Sequence, residues 1–164
     1  MLDTNLILVT GASGWLGVRL VHSLINGLAD HPEFKKPNPH TEIRCLVKRN
    51  DPLSLSDTSN RISLVYGDLR EQSSLEDFFE GAENAILFHA AGVIHPKKSR
   101  EFIDVNVTGT KHLLTAAANA KVRRAIVVSS NSPCGCNPHV DHLFDEASSY
   151  NPYLGYGHSK MLIE

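Results

Sequence analysis

Cysteine is scarce in this chain. Cys45, Cys134 and Cys136 are the only ones among 164 residues, and so odd and sparse a set builds no disulfide framework. A reducing, cytoplasmic setting fits that usage best, and the fold has to rest on a buried core. Long apolar runs are missing too. The longest, Ala85–Ile94, is interrupted by His89 and falls far short of the roughly 20 residues of a membrane helix. No basic stretch precedes Leu6-Ile7-Leu8-Val9, so the start does not read as a secretion signal. Neither charge is in excess: 16 Lys and Arg face 18 Asp and Glu, a net charge of -2. That balance gives no electrostatic ground for a nucleic-acid or membrane partner. Internal repeats and low-complexity tracts are absent. What is present is 41% hydrophobic residues, enough for the core of one domain spanning 1–164.

Those residues fall in an alternating order. Apolar runs rich in Val and Ile predict strands at Asn5–Thr10, Glu42–Lys48, Ile62–Tyr66, Ala85–Ala90 and Ala125–Ser129. Continuous apolar runs suit strands covered on both faces. Between them, Leu16, Leu20, Leu24 and Leu28 recur at helical spacing within Gly14–Leu28. Leu75, Phe78 and Phe79 do so within Ser73–Glu80, and Phe102, Val105, Leu113, Leu114 and Ala117 within Glu101–Asn119. A last helix is expected over Tyr153–Glu164. The prolines of 31–40 mark a loop, 50–60 is polar with room for a short helix, and 131–152 is a long unpatterned segment. Loops of that length are usually functional or mobile. Repeated β–α units argue for an α/β fold, a doubly wound parallel sheet.

Two patterns carry chemistry. The first strand runs into Gly11-Ala12-Ser13-Gly14-Trp15-Leu16-Gly17. Three glycines at this spacing are a weak signal alone, but a strand before them and a helix after them strengthen it. Gly11 permits the tight turn, Gly14 lets the backbone approach a pyrophosphate, and Gly17 allows close packing of helix on sheet. The amides around Trp15 and Leu16 then face the negative charge, with Ser13 inside the turn. At the other end Tyr156 and Lys160 stand one helical turn apart. A tyrosine with its ordinary pKa of about 10 is a poor base, and a cation at i+4 favours the phenolate. Tyr150 and Tyr153 have no such lysine: four residues on stand Leu154 and Gly157.

In these motifs the chain resembles the extended short-chain dehydrogenases/reductases, the NAD-dependent epimerase/dehydratase group, which share the Rossmann fold. Thr10-Gly11-x-x-Gly14-x-x-Gly17 is similar to the family's cofactor turn. Gly67-Asp68-Leu69 is similar to the stretch that contacts adenine, and His89-Ala90-Ala91-Gly92 to the small residues lying against the cofactor. Val105-Asn106-Val107-x-Gly109-Thr110 resembles the helix motif that follows. Val128-Ser129-Ser130 ends the fifth strand where the family keeps a catalytic Ser or Thr, and Tyr156-x-x-x-Lys160 completes the set. The resemblance implies an oxidoreductase in which Tyr156 is acid and base, Lys160 lowers its pKa and holds the nicotinamide ribose, and Ser130 orients the substrate oxygen. It implies cofactor contacts from Asp68, Leu69, Ala90, Ala91, Gly92, Asn106 and Ser129 as well. Its substrate would be a small alcohol or ketone. A sugar-nucleotide 4-epimerase or dehydratase and a non-catalytic NAD(P) sensor are the alternatives, and a homodimer is implied for a full-length protein. Because the family's later strands and substrate lobe follow the Tyr–Lys helix, the chain is expected to be an N-terminal portion, inactive by itself.

The nucleotide choice turns on the end of the second strand. An acid there binds a ribose 2′-hydroxyl, and a base tolerates a 2′-phosphate. Lys48 and Arg49 come first and Asp51 later, so NAD or NADP is expected with NADP slightly favoured. Cys134, Cys136, His139 and His142 do not follow a common zinc spacing, so no metal is expected. Cys45 reads as a small buried residue.

Overall fold

Ile7 and Val9 face one way and Leu6 and Leu8 the other, yet all four are buried. A strand whose two faces are both covered must lie at the centre of a sheet with a layer on each side. The computed structural model describes residues 4–28, 31, 38–51 and 60–164, and it has that architecture. Strand β1 (Leu6–Thr10) leads through helix α1 (Trp15–Asn26) to β2 (Glu42–Val47) and β3 (Ile62–Tyr66). A 3-10 turn (Gln72–Leu75) runs into the single helical turn α2 (Glu76–Phe79), followed by β4 (Ile86–His89). A π-helical segment (Phe102–Gly109) continues as α3 (Thr110–Asn119) and leads to β5 (Arg124–Val127) and, after a long connection, to α4 (Leu154–Met161). The five strands are parallel in the order β3-β2-β1-β4-β5.

Each sheet face has its own core. Leu6, Leu8, Leu46 and Leu87 pack with Leu75, Phe78 and Leu113 on the α2–α3 side. Ile7, Val9, Ile43, Cys45 and Val47 pack with Val21 and Leu24 of α1 on the other. The chain leaves β1 toward β2 and later returns on the opposite side to β4, so the crossovers part between the C-terminal ends of β1 and β4. Open α/β sheets form their ligand crevice at such a switch point.

Several expectations need correction. Apolar runs do not mean coverage on both faces at the sheet's margins. Tyr66 of β3 is 46% exposed and Ile126 of β5 is 36% exposed, because edge strands lack one neighbour. In α1 the inward stripe is Gly17, Val21 and Leu24, while Leu16 is exposed and Leu28, also exposed, lies past the end of the helix. The leucine repeat of four drifts off the inward face, since a helix turns every 3.6 residues. The expected helices at 73–80 and 101–119 each begin in non-α geometry, 3-10 and π respectively. The expected loop at 31–40 and short helix in 50–60 lie largely outside the described residues. Within 131–152 the chain forms a short 3-10 turn, Ser132–Cys134, and irregular turns.

Candidate functional site

The crevice beyond β1 and β4 is a cavity of about 240 Å³ lined by Thr10, Gly11, Ser13, Gly14, Lys48, Asp51, Asp68, Leu69 and Ala90–Gly92. Its floor is the glycine turn. Gly11 has φ +72°, and a Cβ there would stand 2.6–2.8 Å from the backbone of Ala90 and Ala91. A Cβ on Gly17 would overlap the Gly11 carbonyl, so the helix seats on the turn only with glycine. The Gly14 amide closes the turn on the Gly11 carbonyl at 2.9 Å. Helix α1 has no side-chain cap and no acidic residue in its first turn, which leaves its N-terminal amides and dipole available to an anion. The side chains of Trp15 and Leu16 point outward, so only their backbone can serve the cleft.

One end of the cleft is rich in charge. Asp68 is gripped by Arg70 at 2.6 Å, and that hydrogen bond holds its carboxyl down at about 2. Lys48 Nζ lies 3.7 Å from the same carboxylate. Arg49 does not line the cavity; its guanidinium sits 5.5 Å over the Tyr66 ring, in an adjoining groove shared with Arg70. Asp51 does return to the cleft, where its Oδ2 accepts from Ser13 Oγ at 2.9 Å and from the Lys48 amide at 3.3 Å. Sequence reasoning missed Arg70, though a base two residues after an acid was there to be read.

The other end is set by α4. Gly155 and Gly157 flank Tyr156. A Cβ on the first would meet the Phe102 ring at 2.7 Å, and on the second the Ser132 carbonyl at 2.6 Å. These close approaches seat α4 between the π-helical segment and the turn after β5. Lys160 is 5% exposed, and its Nζ donates to the Val128 carbonyl at 2.8 Å. That ammonium lies 3.7 Å from where a Gly92 Cβ would be and 5.9 Å from the Tyr156 ring centre. Burial lowers the Lys160 pKa, and Glu164 acts against the shift. Ser130 Oγ pairs with Ser132 Oγ at 2.9 Å. Ser129 instead donates to the Glu164 side chain, which Tyr150 also reaches.

Asn106 lies behind both ends. It is 2% exposed and clamps Val93 from both sides: Oδ1 accepts the Val93 amide at 2.8 Å, and Nδ2 donates to the Val93 carbonyl at 3.0 Å. It also donates to Ser159 Oγ at 3.0 Å, which in turn donates to the Tyr156 carbonyl. Asn106 therefore reaches the cleft through Val93, a lining residue. His89, which breaks the longest apolar run, is buried with both ring nitrogens engaged: Nδ1 by Thr10 Oγ1 at 2.6 Å and Nε2 by Thr110 Oγ1 at 2.8 Å. Burial, with the Lys160 charge adding to it, pushes its pKa down to about 4. The His139 and His142 rings meet edge to face, and His142 meets Phe144 in the same way. Among the described residues no group of three or more His, Cys, Asp or Glu is placed to hold a metal.

The family model of the NAD-dependent epimerases/dehydratases matches residues 7–164. The uncharacterized protein y4nL of Sinorhizobium fredii is 47% identical over 99% of this chain and 45% of its own length. Sterol demethylase protein B of Methylococcus capsulatus is 31% identical over 96% of this chain and 44% of its own. Among solved structures, DesIV of Streptomyces venezuelae, a dTDP-glucose 4,6-dehydratase crystallised with NAD, superposes with a TM-score of 0.79 at 26% identity, covering 96% of this chain and 49% of that one. The chain thus spans about half the length of the relatives it matches. No helix among the described residues is long and apolar enough to cross a membrane.

Proposed function

The chain belongs to the NAD-dependent epimerase/dehydratase family, and from that premise we propose that it is the dinucleotide-binding and proton-transfer part of an oxidoreductase acting on an alcohol or ketone. The observation that carries the reading is Lys160, held buried between the Val128 carbonyl and Gly92 one helical turn from Tyr156. A buried ammonium at the mouth of a glycine-floored cleft suits a nicotinamide ribose and a neighbouring phenolate. The cleft fits a dinucleotide: side chains at Gly11 and Gly17 would fill or break the cradle, and the α1 amides suit a pyrophosphate.

NAD(P), when bound, supplies or accepts the hydride. This chain's residues do the rest. The ammonium of Lys160 favours the phenolate of Tyr156, which takes the hydroxyl proton in oxidation and returns it in reduction. Ser130 hydrogen-bonds the substrate oxygen, and Asn106 keeps Val93 and α4 in register. NADP is slightly favoured through Lys48, with Asp51 the counterweight. Calorimetric titration with NADPH and NADH tests both points. Binding of neither nucleotide would sink the reading, and NADH binding about tenfold tighter, a difference of roughly 1.4 kcal/mol, would reverse the preference.

A sugar-nucleotide epimerase or dehydratase is the second reading, supported by the likeness to DesIV. Product analysis separates the two, since an epimerase or dehydratase returns the hydride and leaves no net change in nucleotide redox state. A non-catalytic sensor is disfavoured, because it has no need of Ser130, Tyr156 and Lys160 together. For the full-length protein a homodimer is proposed.

A further inference from the structure

His89 takes no part in the proposed reaction, yet three elements meet on it. It stands opposite Thr10 in the parallel register of β1 and β4. Its ring spans Thr10 and Thr110, and its carbonyl accepts the Val128 amide at 2.9 Å. Val128 is the residue whose own carbonyl receives Lys160. Both threonines are buried, at 0% and 2% exposure, so neither hydroxyl can turn to water for a partner. The Thr10 hydroxyl also accepts the Ala91 amide at 3.4 Å. When the hydroxyl gives its single proton to Nδ1, 2.6 Å away, it is used as donor and as acceptor at once. The ring's own proton then sits on Nε2 and is donated to Thr110.

We propose that His89, as the neutral Nε2–H tautomer, is a positioning residue of the dinucleotide cleft. It carries a one-way hydrogen-bond chain from the Ala91 amide through Thr10 to Thr110. This role rests on the proposed dinucleotide reading. Its leverage comes from the turn: Gly11 already lies against Ala90 and Ala91 with no room for a Cβ. A small displacement of Ala91 therefore moves the surface that faces the pyrophosphate. A hydrophobic residue of equal volume would fill the space but leave the buried Thr10 and Thr110 hydroxyls without their ring partner.

The test combines affinity with a spectroscopic signature. Imidazole nitrogen shifts of the unaltered chain should show Nδ1 as acceptor and Nε2 protonated for His89, and the Ala91 amide should exchange slowly. By calorimetry, His89→Phe and Thr10→Val should each weaken dinucleotide binding about tenfold, and Thr10→Ser, which keeps the hydroxyl, should recover most of that loss. Thr10→Val is isosteric and still suits a strand, so it carries the test if His89→Phe does not fold. A proton on Nδ1, or a Thr10→Val chain that binds within about twofold of the original, would overturn the inference. If the unaltered chain binds neither nucleotide, the proposed function falls first, and the ring tautomer with the Ala91 exchange rate still decides the relay.

Discussion

Tyr156 and Lys160 differ in what each should cost when replaced. Tyr156→Phe keeps the ring on Phe102 and removes only the ionisable oxygen. In a full-length protein, turnover should fall roughly 10²–10⁴-fold with dinucleotide affinity unchanged. Lys160→Met should harm both, since the ammonium beside Gly92 goes as well. A Tyr156→Phe protein with near-original rates would move proton transfer elsewhere. His89 gives a stability signal with a definite sign. Its folded pKa, about 4, lies below its ordinary 6.5, so the unfolded chain takes up a proton that the native chain refuses. Stability should therefore be unaffected above pH 6.5 and decline as the pH falls from there toward 4, by about 3 kcal/mol in all. Asp68 runs in a separate window. Its contribution holds above its ordinary 3.8 and is lost only as the pH falls toward 2. Thermal midpoints measured from pH 7 to 4.5 should drop in the original chain and flatten in His89→Phe; parallel curves would deny the shift. Tyr156 and Lys160 stood out in the sequence as candidates because their spacing came together with the glycine turn and the family resemblance. His89 was legible only as an interruption, because burial and two threonine partners 79 and 21 residues away have no local signature.

At the scale of elements, α4 is aimed by what its glycines touch. Replacing an exposed helical glycine with alanine gains about 1 kcal/mol. At Gly157 the added Cβ would stand 2.6 Å from the Ser132 carbonyl, and overpacking of that kind costs about 1–3 kcal/mol. Gly157→Ala should therefore be neutral to destabilising and, in a full-length protein, should lower turnover more than nucleotide affinity, since the added Cβ pushes α4, which carries Tyr156, off the Ser132 carbonyl. A clear gain in melting temperature would mean that the contact does not constrain the helix. The strands were read to within one or two residues, since Val and Ile runs bounded by turns leave little choice. The segment before α3 was read as plain α-helix, yet it is π-helical over Phe102–Gly109. Nothing local to those residues forces the wider turn. It brings Asn106 onto Val93 and Ser159, and partners that distant in sequence are not visible in a single-chain pattern.

For the molecule as a whole, the margins of the sheet matter most. Among the described residues β5 pairs on one side only, with β4, and Ile126 within it and Val128 just past its end are more than a third exposed. Apolar edges of this kind promote association. The 164-residue chain should sediment as larger species as its concentration rises, and Ile126→Lys should shift it toward monomer; a chain that stays monomeric throughout would show the edge to be harmless. The two-sided core could be anticipated because uninterrupted apolar strands need two cover layers. Its exposed margins could not, since coverage at an edge depends on which strand ends up last in the order. One further consequence lies at the mouth of the cleft. Trp15 is the chain's single tryptophan, and it opens α1 beside the phosphate turn with 88% of its surface in solvent. Its emission therefore comes from one known place, unmixed with any buried indole. A reduced nicotinamide absorbs where a solvated indole emits, so the chain carries its own optical donor, and quenching of Trp15 can follow occupancy of the cleft without a label.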